Sequence, residues 1–151
     1  MLREEINTAL KDAMKAREEH RVSTLRLVNA ALKNADLEAQ GRGKNALSDE
    51  EILALLQKLI KQRQEAAELY DKAGRSELAA RERDEIEIIS AYLPQQMSEA
   101  EAKAAIAEAI KTAGATGIKD MGKVMAALKQ SYAGRIDFGK ASGWVKQLLA
   151  G

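Results

Sequence analysis

Across 151 residues there is one proline, Pro94, and on both sides of it the apolar residues recur at helical spacing. No stretch alternates apolar and polar residues as a half-buried strand would. Proline lacks an N–H and drives the residue before it away from helical geometry, so a helix arriving from the N-terminal side must end there. The sequence therefore predicts an all-α fold in two parts. A helical N-terminal domain over 1–93 contains a long antiparallel helical hairpin; 94–97 is a linker; a small three-helix domain occupies 98–151.

The apolar stripes give the elements. Leu2, Ile6, Leu10, Ala13 and Met14 share one face of a first helix, expected to end near Glu18–Arg21, with Ser23 starting the next. That second helix presents Leu25, Val28, Ala31, Leu32 and Ala35 and stops around Gly41-Arg42-Gly43. Ser48-Asp49-Glu50-Glu51 is a capping box, after which Ile52, Leu55, Leu56, Leu59, Ile60, Ala67 and Tyr70 line a long third helix that Gly74 closes. Ser76 is expected to cap a fourth helix with Leu78, Ile86, Ile89 and Leu93 inward, and the very short turn at Gly74 folds these two into the hairpin. Beyond Pro94, Ser98-Glu99-Ala100-Glu101 is a second capping box; Asp120 and Asp137 are expected to cap the two helices that follow.

Composition removes several function classes. The chain has no cysteine, which excludes disulfides, thiolate metal sites and cysteine nucleophiles and suits a reducing cytosol. Its longest uncharged run, eleven residues from Ile88 to Ser98, contains Pro94 and is too short to span a membrane. The opening Met1-Leu2-Arg3-Glu4-Glu5 lacks the apolar stretch of a signal peptide, so the expected location is cytoplasmic.

Catalytic chemistry finds little to work with. The only histidine, His20, lies in Glu19-His20-Arg21 and reads as a solvated loop residue without a nucleophile or companion ligand. Gly41-Arg42-Gly43-Lys44-Asn45-Ala46 has the spacing of a dinucleotide fingerprint but not its strand-before, helix-after context. As a phosphate loop it also fails, because Glu38 replaces the first glycine and Asn45 the magnesium-binding hydroxyl. Glu82, Asp84, Glu85 and Glu87 are interleaved with Arg81 and Arg83 and read as a charged, solvated helix face. No enzymatic activity, cofactor, metal or small-molecule substrate is expected.

Charge is distributed unevenly. Residues 1–93 carry 16 Lys+Arg against 18 Asp+Glu, a balance of −2, whereas 94–151 carry 8 against 5, a balance of +3. Lys119, Lys123, Lys129, Arg135, Lys140 and Lys146 supply most of that excess, and Tyr132-Ala133-Gly134-Arg135 reads as a turn able to aim an arginine and backbone amides at a phosphate. These residues are the candidate nucleic-acid contacts. Trp144, three residues from Ala141 and four from Leu148, reads chiefly as a core-edge ring, with base stacking as the alternative.

Several segments resemble the GatB/YqeY family. They are Ala73-Gly74-Arg75-Ser76-Glu77-Leu78-Ala79, Ala91-Tyr92-Leu93-Pro94-Gln95-Gln96-Met97-Ser98-Glu99-Ala100-Glu101, Lys119-Asp120-Met121-Gly122-Lys123-Val124-Met125 and Gly134-Arg135-Ile136-Asp137. The resemblance covers essentially the whole chain and points to the stand-alone YqeY type. In that family the same two-part helical tail ends the B subunit of the glutamine-dependent tRNA amidotransferase, where it contacts the outer corner of tRNA while chemistry occurs in a separate domain. The resemblance thus implies a tRNA-binding accessory module without catalytic machinery, partnered by tRNA and by amidotransferase or aminoacyl-tRNA synthetase machinery. By position it brings forward Lys123, Lys129, Gly134 and Arg135. Two other readings stand beside it: a protein–protein adaptor that binds no RNA, and a carbon–nitrogen ligase using glutamine as amido-N-donor within a complex.

Overall fold

The structure, a computed structural model, describes residues 1–150. Among them it contains seven α-helices, one 3-10 turn and no strand. The helices are α1 (Leu2–Lys15), α2 (Glu19–Gly41), α3 (Asp49–Lys72), α4 (Ser76–Ser90), α5 (Glu99–Ala113), α6 (Met121–Tyr132) and α7 (Phe138–Ala150), with the 3-10 turn at Ile118–Asp120. No helix among the described residues is long and apolar enough to cross a membrane. The chain divides into two compact units, Met1–Leu93 and Pro94–Gly151, each with its own core.

In the first unit, Leu2, Ile6, Leu25, Val28, Leu32, Ile52, Leu56 and Ile89 form the buried centre. α3 and α4 make the antiparallel hairpin: ion pairs Arg63–Glu85 and Asp71–Arg83 nest around the turn at Gly74. Gly74 takes φ +72°, the left-handed geometry that costs other residues strain, and Arg75 N–H reaches back to Tyr70 O at 2.8 Å to close α3. Arg3 on α1 grips Asp36 on α2 with both guanidinium ends, at 2.5 and 2.7 Å, and Asp36 also accepts the Leu47 N–H at 2.9 Å. One carboxylate therefore fixes the α1–α2 pair and the chain entering α3. Arg3 holds this carboxyl below the usual carboxylate range, and the Leu47 N–H adds to the effect.

Several expectations need correction here. α1 ends at Lys15 rather than near Glu18–Arg21, because Arg17 turns left-handed at φ +56° and Glu18 N–H closes on Ala13 O. α2 accordingly begins at Glu19 and Ser23 lies inside it. His20 is thus a helix residue, and its Nε2 stands 3.4 Å from Glu85 Oε1. Glu85 is 9% exposed and also accepts from Arg63 Nε at 3.1 Å, so it leaves the solvated face on which the sequence put it. Met14 and Leu78, expected inward, are exposed, as is Leu148 on the last helix, whose spacing to Val145 also suits the core; on α4 the buried positions are Ala79, Glu85 and Ile89. Ser76 makes no capping bond, whereas Ser48 and Ser98 form complete capping boxes.

The second unit packs α5, α6 and α7 around Ala102, Ile106, Val124, Leu128, Ile136, Ala141 and Val145. The expected linker at 94–97 belongs to this unit. Met97 N–H donates to Arg135 O at 2.9 Å, Gln96 Nε2 to Gly134 O, and Arg135 Nε to Gln95 O at 3.0 Å, while the Met97 side chain packs on the core. A segment with this many specific partners is held rather than merely spanning.

Candidate functional site

The turn before α7 organises an open cleft of mixed charge in the second unit. Tyr132 ends α6, Gly134 turns the chain at φ +77°, and Asp137 caps α7 by accepting from the amides of Gly139 at 2.9 Å and Lys140 at 3.3 Å. This arrangement brings Arg135, Asp137 and Lys140 to the wall of an open cleft, together with Gln96, Glu99, Trp144 and Gln147. Met97, Ala102, Ile136 and Gly143 complete its lining.

Its charges are unequally engaged. Glu99 pairs with Lys103 at 3.0 Å, and Asp137 is occupied by the helix amides it caps. Arg135 uses Nε on Gln95 O, its guanidinium lies 5.9 Å from the centroid of the Tyr132 ring, and its charge also acts on the nearby Glu101 carboxylate. Lys140 is exposed, and no carboxylate lies within ion-pair reach of it among the described residues. Arg135 and Lys140 can each donate to an anion, Arg135 through a planar fork, while Glu99 and Asp137 keep their negative charge in the same cleft. Lys103 Nζ lies 5.6 Å above the Trp144 ring.

The other sequence candidates are dispersed. Lys119 in the 3-10 turn and Lys123 in the first turn of α6 flank Asp120. That carboxyl sits below the usual carboxylate range, first because it accepts the Thr116 N–H at 3.0 Å and then through Gly117 and the two lysines. Asp120 therefore holds a loop together instead of capping α6, which corrects its expected role. Lys129, in the last turn of α6, and Lys146, on α7, are exposed and line no part of the cleft. Gly134 is buried and its carbonyl accepts from Gln96, while the Arg135 amide is spent on Tyr132 O at 3.0 Å. The turn thus presents a guanidinium, and of the backbone amides expected to face a phosphate that of Arg135 is spent within the turn. Sequence reasoning passed over Gln96, Gln147 and Gly143. The spacing 140, 143, 144, 147 on one helix stripe was the signal that could have found the latter two.

A family profile described as "Yqey-like protein" matches residues 3–149. A relative from Lachancea thermotolerans, named "Altered inheritance of mitochondria protein 41, mitochondrial", is 41% identical over 86 residues, which is 57% of this chain and 44% of that one. A Schizosaccharomyces pombe protein, "Uncharacterized protein C22F3.15", is 32% identical over 93 residues, 62% of this chain and 72% of that one. The match therefore spans less than half the length of the first relative.

Proposed function

The chain belongs to the YqeY-like protein family, and on that premise we propose that it is a non-catalytic accessory module whose second unit binds tRNA or another RNA, beside amidotransferase or synthetase machinery. The observation that carries the reading is that Arg135 and Lys140 line one cleft, with Lys140 exposed and Glu99 paired to Lys103. The absence of cysteine and the engagement of the lone His20 with Glu85 support a role without nucleophilic chemistry. Purified protein should turn over neither glutamine nor ATP; turnover abolished by a point substitution in this chain would overturn the non-catalytic part.

Counterion release sets the test for RNA. With four or five of the six candidate cations on phosphates, log affinity should fall against log salt with a slope of about −3 to −4. Filter binding of bulk tRNA to the full chain measures it. Lys140→Ala removes a charge with no structural partner and should flatten the slope by about one unit with helicity unchanged. No salt-dependent binding at low ionic strength would overturn the RNA reading. The adaptor reading, which has its own observation in Leu27, Leu37 and Leu69, each more than half exposed on the first unit, would then take over.

A further inference from the structure

Trp144 is the chain's one tryptophan, and it has two neighbourhoods. It packs at the edge of the second core, and it also lines the cleft that holds Arg135 and Lys140. α7 explains both: Ala141 and Val145 face inward, and Lys140, Gly143, Trp144 and Gln147 fall on one stripe along the cleft. Lys103, which does not line the cleft, lies over the ring at 5.6 Å, and the ring's exposed part lines the cleft.

Gly143 is the informative member. A glycine in the middle of a helix costs about 1 kcal/mol relative to alanine. Nothing in the fold requires one here: a Cβ at this position would meet no atom within 4 Å, and the backbone is not in the left-handed region. What the missing side chain leaves is open space in the cleft lining, between Lys140 and Gln147 on the helix and next to Trp144. Two cationic side chains, an aromatic ring and the open space at Gly143 match the parts of one nucleotide: a phosphate, a planar base, and the room the base occupies.

We infer that this cleft receives a single unpaired nucleotide, its phosphate between Arg135 and Lys140 and its base laid over Gly143 against Trp144. The inference rests on the RNA-binding reading and sharpens it. A base inside a duplex has both faces stacked on its neighbours, so the ligand must be a loop, an end or a single strand.

Trp144 is its own reporter, since no other tryptophan contributes to the emission. The full chain is titrated at low salt with hexa-adenylate, with a blunt RNA duplex of equal phosphate content, and with inorganic phosphate. Hexa-adenylate should quench the emission, and the other two should leave it unchanged. Trp144→Leu should weaken hexa-adenylate binding about tenfold or more, as loss of one base–aromatic stack does. Gly143→Leu should keep or raise the melting temperature while abolishing the quenching, an outcome a purely structural role for Gly143 does not give. If tRNA binds with a Lys140-dependent salt slope while hexa-adenylate leaves Trp144 unquenched and Gly143→Leu binds tRNA normally, the cleft inference is overturned and RNA binding stands. If no RNA binds at low ionic strength, both fall together. Equal quenching by inorganic phosphate would also overturn it, reducing the cleft to a simple anion site.

Discussion

At position 85 a carboxylate lies where the helical spacing to Ile89 and Leu93 asks for an aliphatic side chain. Glu85 is held there by Arg63 Nε at 3.1 Å, with His20 Nε2 at 3.4 Å on its other oxygen. Arg63 is itself 14% exposed, so Glu85→Ala strands a largely buried cation and should cost about 3 kcal/mol in a urea titration. Glu85→Leu combined with Arg63→Met, which removes both charges, should recover most of that loss. Glu82 sits beside this pair, and burial first, then the charge of Glu85, holds its carboxyl above the usual carboxylate range. A raised carboxyl is protonated more readily in the folded state, so its ionisation costs stability as pH rises through the folded value. Glu82→Gln should therefore raise the melting temperature at neutral pH and have no effect below the ordinary carboxylate range; a gain that persists in acid would contradict this. None of this cluster was legible in the sequence. His20 and Glu85 are 65 positions apart, and only the three-dimensional approach of α2 and α4 turns two ordinary surface residues into a pair.

Helix ends were legible where side chain and backbone must act reciprocally, and illegible where a single polar residue had to be judged alone. Ser48 with Glu51 and Ser98 with Glu101 each satisfy two amides, and both boxes form. Ser98→Ala should cost about 1 kcal/mol at neutral pH, read as a shift of the thermal midpoint of the second unit. Ser76 and Ser23 carried the same one-residue signal as a genuine cap. For Ser76 the helix starts one residue early: Ala79 N–H bonds Arg75 O, so Arg75 takes the cap position and Ser76 is the first helical residue. At Gly74 itself a side chain would meet nothing within 4 Å, so Gly74→Ala should cost only the backbone strain, about 1 kcal/mol, and Gly74→Asn less. A loss several times larger would mean that the hairpin tip makes contacts the fold does not display. The cleft followed the same rule. Lys140 was readable as a cation, but its company with Trp144, Gly143 and Gln96 depends on how the Gly134 turn docks the residues after Pro94.

At the scale of the whole chain, Pro94 located the change of unit because proline must interrupt a helix, but it could not say to which side the following residues attach. The structure attaches them to the second unit: Gln95 accepts from Arg135, Gln96 donates to Gly134, Met97 donates to Arg135 and packs on the core. This has a consequence for any dissection of the chain. A fragment starting at residue 98 keeps all three helices and looks complete by sequence, yet it loses three hydrogen bonds worth about 1 kcal/mol each and the partial burial of a methionine, worth about another. A domain of fewer than 60 residues has only a few kcal/mol in hand. Residues 94–151 should therefore melt cooperatively by circular dichroism, whereas residues 98–151 should melt about 10 °C or more lower, or show no cooperative transition. Arg135 makes the loss functional as well as structural, because its guanidinium is aimed by the Gln95 carbonyl that the shorter fragment lacks. The two fragments should thus differ in tRNA binding even at a temperature where both are helical. Equal melting and equal binding would return residues 94–97 to the role of a passive linker.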